Sequence, residues 1–325
     1  MLNEESPLEN FKVFLDVSDE GIKQSLKEMV EKDYVLATDD KDCEIYLTDV
    51  HTNKSKNAVN MLIANVVKIP DFKGLSDIDG FNHYVVYNEN DFLVERVNQV
   101  LTRQFAIKKG LKSTDSSQIM GVRALIQMEG IASDAGNGIQ LPIIKTYDVR
   151  SSKERNKLAE EMEKFFEMLE PLIGQQSPTF AQYAVEIQEE LLMNAIWDAN
   201  PKHEKQPRTI PVDLEDDEKV ILEWGFNGKD LAISVRDNFG RLNPQIMSKY
   251  VKFIFKTGTQ ESHQLNDRDV SAGLGMYMIL QRANILSVFI SKGKVTDVGV
   301  VICLSKKKRA KNQAPKVLDI FHVDK

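Results

Sequence analysis

From Phe11 to about residue 106, short β-rich runs alternate with helical runs along the chain. The β-rich runs are FKVFLD, YVLAT, CEIYLTDV, MLIANVVKI and HYVVY, and the helical runs are GIKQSLKEMVEK and DFLVERVNQVLTRQF. Such an alternation predicts an α/β domain built on a parallel sheet. The chain has 325 residues, which is long enough for about two domains, because single hydrophobic cores seldom grow past a few hundred residues.

The pattern changes near residue 138. The polar stretch KKGLKSTDSSQ, a helix candidate at Met120 to Met128 and the loop SDAGNG lie before this point. A strand, two helices and then strands joined by tight turns follow it. We therefore assign 1–106 to a first domain, 107–137 to a helical linker, 138–310 to a second domain and 311–325 to a carboxyl-terminal tail.

Local signals support the elements of the second domain. Ser151 and Glu154 have the spacing of a capping box, and Asn227-Gly228 predicts a tight hairpin turn, because such turns need positive φ angles. One apolar stripe at helical spacing predicts a core-facing helix; it consists of Leu158, Met162, Phe165, Phe166 and Leu169.

Composition indicates a cytoplasmic chain with no nucleic-acid or membrane partner. The net charge is −7, which does not favour a broad nucleic-acid face, and we interpret the basic cluster KKKRAK at 306–311 as part of a solvated tail. The two cysteines, Cys43 and Cys303, have no disulfide or metal spacing, so a reducing compartment fits best. No window of about 18 apolar residues is present, and the amino terminus has no apolar signal core.

Three polar features follow one another in the second domain. Glu190 and Asn194 are four residues apart in the helical run EELLMNA, so they share one helix face. Asp237 ends the strand LAISVRD, and Gly240 follows it. The glycine-rich segment SAGLGMY at 271–277 precedes the helical run MYMILQRA, whose amino terminus suits a phosphate. A carboxamide such as that of Asn194 suits Mg²⁺, which takes few protein ligands when it is bound with nucleotide phosphates.

Together these segments resemble the motifs of the GHKL ATPase superfamily, which includes histidine kinases, gyrase-type topoisomerases, MutL-type repair proteins and anti-sigma serine kinases. EELLMNA resembles the N box, VRDNFG the first glycine box and SAGLGMYMI the second. The resemblance spans about residues 138–305. It implies a Bergerat α/β sandwich, in which helices cover one face of a mixed sheet, with ATP and Mg²⁺ as cofactors.

The resemblance also implies roles for individual residues. Glu190 is expected to be the catalytic base and Asn194 the magnesium ligand. Asp237 is expected to accept from the exocyclic amine of adenine, and Gly240 to let the backbone turn beneath the base. Phosphates are expected to be bound by Gly273, Leu274 and Gly275, and by Lys256 of a lid between the two glycine boxes. Thr257 and Thr259 of the same lid are further candidates for phosphate contact, and simple exposure to solvent is the alternative for all three lid residues.

The sequence departs from the family pattern at three positions. Phe239 and Arg241 stand where the first glycine box has glycines, and Ser271 replaces the first glycine of the second box. These departures bear on the fit of adenine and on turnover. One alternative therefore stays open, a non-catalytic regulatory module that binds a partner and senses nucleotide. A second alternative is a histidine kinase.

The order of elements in the first domain resembles a response-regulator receiver with a flavodoxin-like parallel sheet. Asp16, Asp19 and Glu20 lie near its first strand, and Asp49 after its third strand is the candidate phosphoacceptor. The lysine that a receiver needs after its fifth strand is absent, since Asn88 and Asn90 occupy that region. This favours a degenerate receiver that serves dimerisation or contact with a partner.

The whole chain therefore resembles a bacterial signalling protein that phosphorylates serine or threonine of a partner such as a sigma-factor regulator. The five histidines do not have the helical context of a histidine-kinase phosphoacceptor, and we expect all of them on the surface or in loops. They are His51, His83, His203, His263 and His322.

Overall fold

The computed structural model describes residues 11–50, 52–65, 80–87, 90–109, 119–126, 133–134, 140–174, 177–244, 271–304 and 316–323. The chain forms two compact units. Of the described residues, those from 11 to 109 and 316–320 belong to the first unit, and those from 119 to 304 and 321–323 to the second. Each unit combines a β-sheet with α-helices, so the predicted α/β class is confirmed at this level.

In the first unit the described elements follow the predicted order. They are β1 (Lys12–Asp16), α1 (Glu20–Asp33), β2 (Val35–Leu36), β3 (Ile45–Thr48), β4 (Val59–Asn65), β5 (His83–Tyr87) and α2 (Asn90–Lys108). The five strands are parallel in the order β2-β1-β3-β4-β5. The apolar runs of β3 and β5 are fully buried, as expected for strands inside a parallel sheet.

The second unit has a sheet of antiparallel neighbours in the order β11-β12-β10-β9-β8. Its elements are α3 (Val122–Leu125), β6 (Ser133–Asp134), β7 (Gln140–Leu141), β8 (Ile143–Val149), α4 (Arg155–Ile173), α5 (Ser177–Met193), β9 (Val220–Phe226), β10 (Asp230–Asp237), α6 (Ser271–Arg282), β11 (Ile285–Ser291) and β12 (Val295–Cys303). The short strands β6 and β7 form a separate pair.

The local signals of the second unit are confirmed. Ser151 and Glu154 form a capping box before α4, and the whole predicted stripe of α4 is buried. β9 and β10 form the predicted hairpin, with Gly228 at φ +94°. These features depend on neighbours in sequence, so they could be predicted from sequence alone.

The segment assigned to a carboxyl-terminal tail contains a strand instead. β13 (Lys316–Val323) pairs antiparallel with β5, and Asp319 lies opposite His83. The first sheet is therefore extended to β2-β1-β3-β4-β5-β13. The run VLDIFHV is short, and β5, the strand it pairs with, lies more than two hundred residues earlier in the chain. The local sequence pattern therefore favoured a tail, whereas burial and pairing with β5 stabilise a strand.

His83 is fully buried, which contradicts the prediction that all five histidines lie on the surface or in loops. Its Nδ1 donates to Asp319 at 3.2 Å, and its Nε2 accepts from Gln104 at 2.9 Å. Arg96 of α2 forms an ion pair with the same aspartate. Burial lowers the pKa of His83, so the ring is neutral and Arg96 balances the buried carboxylate.

Residues 119–126 cover part of the second unit's sheet on the face opposite α4 and α5. Side chains alternate between faces along a strand: Trp224 donates to Gln188 of α5 at 2.9 Å, whereas its neighbour Glu223 accepts from the backbone N–H of Val122 at 3.1 Å. The N–H of Gly121 donates to buried Asp297 at 3.2 Å. The expectation that helices cover only one face is therefore wrong for this sheet, because residues 119–126 of the predicted linker cover part of the other face.

Within the described ranges, no helix is both long and apolar enough to cross a membrane.

Candidate functional site

Helix α5 carries the predicted N box and continues beyond Met193 as a π-helical turn, Asn194–Asp198. The N–H of Ala199 donates to the carbonyl of Asn194 at 2.8 Å, which closes the wide turn. π-Helical turns inside helices occur frequently at functional sites. Since α5 also packs against β10 and α6, the three predicted motifs meet around this one helix.

Three glutamates of α5 differ in how they are balanced. Glu186 forms an ion pair with Arg282, and Glu189 forms one with Arg155 at 3.0 Å. Glu190 is half-buried, and no hydrogen bond or ion pair joins it to another described residue. Burial raises the pKa of Glu190, and the nearby Arg208 guanidinium offsets part of that increase.

Gly275 of α6 packs directly against Glu190. A Cβ atom at position 275 would lie 2.0 Å from Oε2 and 2.7 Å from Cδ of Glu190. Any side chain at position 275 would displace the carboxylate, so glycine at this position leaves room for the Glu190 side chain between α5 and α6.

Asn194 lies at the start of the π-helical turn, one turn after Glu190. Its Oδ1 accepts from Nη2 of Arg208 at 3.4 Å, and the same guanidinium forms an ion pair with Asp198. The carboxamide oxygen that was predicted to bind magnesium therefore faces a cationic side chain. Arg208 was not predicted, because it lies in the irregular segment between the π-helical turn and β9.

Asp237 is buried at the end of β10. Its Oδ1 accepts from the N–H groups of Phe239 at 2.9 Å and Gly240 at 3.3 Å. Burial raises its pKa to about 6, although these two hydrogen bonds oppose the increase. Gly240 has φ +60°, and a Cβ there would lie 2.3 Å from the carbonyl oxygen of Ser291. The turn after Asp237 therefore requires glycine.

Thr296 was not predicted as a site residue. It lies opposite Asp237 in the pairing of β10 with β12, and its side chain is buried. The hydroxyl lies near enough to the Asp237 carboxylate to lower its pKa, but it makes no hydrogen bond of regular geometry within the described structure. The pairing of β10 with β12 is the signal that could have identified it.

Gly273, Leu274 and Gly275 lie within α6, so the prediction that they precede the helix is wrong. Alanine, leucine and methionine are strong helix formers, and they outweigh the cost of about 1 kcal/mol for each glycine. The predicted lid residues Lys256, Thr257 and Thr259 lie outside the described residues, as does the basic cluster 306–311.

Asp16 ends β1 and Asp49 directly follows β3, so these two candidate receiver residues of the first unit lie at the carboxyl ends of the two strands. Asp16 accepts from Tyr46, from Asn53 at 2.8 Å and from Thr48 at 3.3 Å. Burial raises its pKa, but these hydrogen bonds outweigh burial, and the net pKa is lowered.

The other two aspartates are also occupied. Asp49 accepts from the N–H of Ser18 at 3.0 Å and from its hydroxyl at 2.6 Å. Asp19 caps α1 by accepting from the N–H of Ile22 at 3.2 Å. The candidate phosphoacceptor is therefore held by a serine of the loop that follows β1.

The predicted site residues of the second unit form two groups. Glu190, Asn194 and Gly275 are one group, and Asp237 and Gly240 are the other; no hydrogen bond or ion pair links the groups among the residues that can be described. In that same part of the chain, no three histidine, cysteine or acidic side chains are grouped so that they could hold a metal ion. No protein-family model and no curated protein matches the chain.

Proposed function

We infer that the second unit binds ATP with Mg²⁺ in the manner of the GHKL ATPases. The observation that carries this proposal is the Glu190 carboxylate. It is half-buried, contacts a helix at a glycine, and has no described partner, whereas Glu186 and Glu189 have arginine partners. Leaving a carboxylate unpaired in a half-buried position costs stability, so a role in binding or catalysis explains it.

Asp237 is the proposed adenine acceptor. A buried carboxylate selects a ligand with an N–H group, and the exocyclic amine of adenine supplies one where guanine has a carbonyl. Thr296 contributes a buried hydroxyl beside the same carboxylate. The required glycine at 240 keeps the turn after β10 compact next to this position.

Asn194 suits Mg²⁺ as a neutral oxygen ligand, with the remaining ligands provided by nucleotide phosphates and water. The ion, when bound, neutralises phosphate charge. Glu190 lies one helical turn from Asn194 and would accept the proton of the attacking hydroxyl. Its raised pKa suits that role, because a general base works best when its pKa approaches the working pH.

The proposed reaction is transfer of the γ-phosphoryl group to serine or threonine of a partner signalling protein in the cytoplasm. Positioning and charge neutralisation would supply most of the catalysis. Gly273 and Leu274 lie in the first turn of α6 as the structure describes it, where phosphate oxygens would meet backbone N–H groups.

The first unit is proposed to be a degenerate receiver that contacts a partner or a second copy of the chain. The parallel strand order β2-β1-β3-β4-β5 matches the flavodoxin-like order. Asp16 and Asp49 use their oxygens in hydrogen bonds to protein groups. These contacts compete with the metal and phosphate that a working receiver would bind there.

Nucleotide binding is tested by calorimetry with ATP and Mg²⁺ on the full chain. Replacing the charged acceptor in Asp237→Asn should weaken ATP binding by about 1.5 to 3 kcal/mol. Asp217→Asn is the matched control, because the Asp217 side chain is 80% exposed and its loss should leave affinity unchanged. Equal affinities for wild type and Asp237→Asn would refute the site, and no binding by wild type would refute the function.

Catalysis is tested with γ-labelled ATP in single-turnover conditions. Glu190→Gln should abolish hydrolysis and transfer but retain ATP binding, because the isosteric amide cannot take the proton. Glu189→Gln is the control, because Glu189 is the neighbouring residue and is paired with Arg155. This variant should retain activity within about threefold, a change of less than about 1 kcal/mol. A wild-type chain that binds ATP without turnover would support the binding module instead.

One observation favours that second candidate. Arg241, which stands at a glycine of the family's first box, forms an ion pair with Glu204 at 2.7 Å. This contact ties the turn after Asp237 to the segment that follows the π-helical turn. A nucleotide-sensing module that does not hydrolyse ATP would use such a contact to signal to a partner that nucleotide is bound.

A further inference from the structure

Among the described residues, Arg208 is the cationic side chain that contacts Asn194, the proposed magnesium ligand. Its Nη2 contacts Oδ1 of Asn194 at 3.4 Å and the carboxylate of Asp198. Of the neighbouring charges that change the pKa of Glu190, that of Arg208 has the largest effect, ahead of that of Arg155. The side chain is about one-third exposed, at 34%, so a ligand can reach it.

Two other arginines in the described part of the chain contact α5, and both are paired with its glutamates. Arg155 forms an ion pair with Glu189 at 3.0 Å and lies 5.3 Å from the ring centre of Trp197. Arg282 pairs with Glu186 and lies over Tyr183. The described contacts of Arg208 use only Nη2, and its Nη1 and Nε have no partner among the described residues.

An arginine in this position has two properties that matter for a nucleotide. Its planar fork matches phosphate oxygens with two parallel hydrogen bonds. It also cannot share the Asn194 oxygen with Mg²⁺, because two cations would then approach the same atom. A metal that takes Asn194 therefore releases Nη2 next to the phosphates that the metal binds.

We propose that Arg208 contacts the terminal phosphate and makes the site selective for a nucleoside triphosphate over a diphosphate. This inference rests on the proposed function, since it assumes that nucleotide binds beside Asn194. In the absence of nucleotide, Arg208 stays on Asn194 and Asp198. When the triphosphate and Mg²⁺ bind, the guanidinium passes from Asn194 to the γ-phosphate.

The test is calorimetry of the full chain with ATP and with ADP, each with Mg²⁺. Wild type should bind ATP more tightly than ADP by about tenfold or more, as expected for one charged hydrogen-bonded contact. Arg208→Gln should lose this preference through weaker ATP binding, with ADP affinity changed less than about twofold. Arg150→Gln is the matched control, because Arg150 is an exposed arginine of the same unit that pairs with Asp148; its ATP preference should be retained.

Asp198→Asn separates the phosphate contact from the ion pair. It removes the carboxylate partner but keeps the guanidinium, so the preference for ATP should persist. If Arg208→Gln does not fold by tryptophan fluorescence, Arg208→Lys decides, because it keeps the charge and loses the fork; its preference should fall to an intermediate value.

Two outcomes are distinguished. If wild type binds ATP but Arg208→Gln weakens ATP and ADP equally, or weakens neither, the role of Arg208 is overturned and the proposed function stands. The same holds if Arg208→Lys, used as the folded substitute, keeps the full wild-type preference. If wild type binds neither nucleotide, the proposed function fails and the role of Arg208 fails with it.

Discussion

The two units differ in how two carboxylates of each are balanced, Asp16 and Asp319 in the first unit and Glu190 and Asp237 in the second. In the first unit, burial opposes the ionisation of Asp319, but Arg96 and His83 outweigh it and lower the pKa to about 2. Asp16 likewise has a lowered pKa, through hydrogen bonds from Tyr46, Asn53 and Thr48 that outweigh burial. In the second unit, burial raises the pKa values of Glu190 and Asp237. Glu218 of the same unit is an exception, because burial is outweighed there by hydrogen bonds and by Lys202, and its pKa is lowered.

This difference separates the two carboxylates that stabilise the first unit from the two that the proposed function assigns to a ligand. A raised pKa alone does not mark a ligand site, because burial also raises the pKa of ion-paired Glu189. A carboxylate with a lowered pKa contributes stability while it is charged. One with a raised pKa costs stability at neutral pH, and such costs are tolerated mainly at functional sites. The proposed function therefore uses Glu190 and Asp237 of the second unit, whereas Asp16 and Asp319 of the first unit already have partners within the protein.

The largest effect is expected for Asp319→Asn. This change leaves Arg96 buried without a counter-charge, and breaking a buried pair typically costs about 3 to 5 kcal/mol. Hydrogen exchange followed by mass spectrometry should show faster exchange in β5 and α2. Glu31→Gln is the control, since the exposed pair of Lys27 and Glu31 at 3.7 Å should contribute less than about 0.5 kcal/mol. A loss of stability below about 1 kcal/mol for Asp319→Asn would contradict the claim that the Asp319 carboxylate stabilises the first unit.

The next effect concerns the free energy of unfolding at pH 8. Replacing an aspartate by asparagine is expected to raise it in the second unit and to lower it in the first. Above pH 6 native Asp237 carries a buried charge that the unfolded chain solvates, so Asp237→Asn should be more stable than wild type at pH 8. The shift of about two pKa units corresponds to up to about 3 kcal/mol. As pH falls through 6 toward 4, native Asp237 takes up a proton, and the advantage of the variant should disappear.

Asp16→Asn provides the contrast. Because its native pKa is lowered, Asp16 contributes stability above its unfolded pKa near 4, and this is lost as pH falls through the native pKa. The variant should therefore be less stable than wild type at pH 8. Urea unfolding at pH 8, 6 and 4, followed by hydrogen exchange in each unit, measures both signs. Equal signs for the two variants would contradict the comparison.

Gly240→Ala should destabilise the second unit by about 2 kcal/mol, because alanine is unfavourable at positive φ and its Cβ meets the backbone. Gly293→Ala is the matched control: it has φ +68° but open space around it, so only the conformational part, about 1 kcal/mol, should be lost. Both tryptophans, Trp197 and Trp224, lie in the second unit, so their fluorescence during urea unfolding reports on it alone. Equal losses for the two variants would show that the close contact is unimportant.

The smallest effect on stability is expected for Gly275→Ala. Alanine improves helix propensity by about 1 kcal/mol, and the atom it meets is the mobile end of Glu190. Stability should therefore change by less than about 1 kcal/mol, whereas hydrolysis of ATP should fall at least about tenfold because the base is displaced. Unchanged hydrolysis in a chain that does hydrolyse ATP would separate Glu190 from the chemistry. Gly228→Ala, in the distant hairpin turn, is the control for activity.

The sequence predicted what depends on neighbours within a few residues. The stripe from Leu158 to Leu169, the capping box at Ser151 and the Asn227-Gly228 turn were all correct because helix periodicity and turn chemistry are local. The face shared by Glu190 and Asn194 follows from the same periodicity.

What the sequence did not predict depends on contacts between distant segments. β13, the cover formed by residues 119–126, the pairing of Thr296 with Asp237 and the approach of Arg208 to Asn194 all join residues that local pattern cannot relate. The motif led to the prediction that Gly275 binds phosphate, whereas its contact with Glu190 could be seen only in the structure.

The pairing of β5 with β13 has a consequence for synthesis on the ribosome. Asp319 follows His83 by 236 residues, and at about 5 to 20 residues per second it emerges roughly ten to fifty seconds later. During that interval Arg96 has no Asp319 to balance it, and β5 presents an open sheet edge that can pair with other chains. The first unit is therefore the first to be synthesised but cannot be completed until the second has left the ribosome, so the nascent chain needs protection for that time.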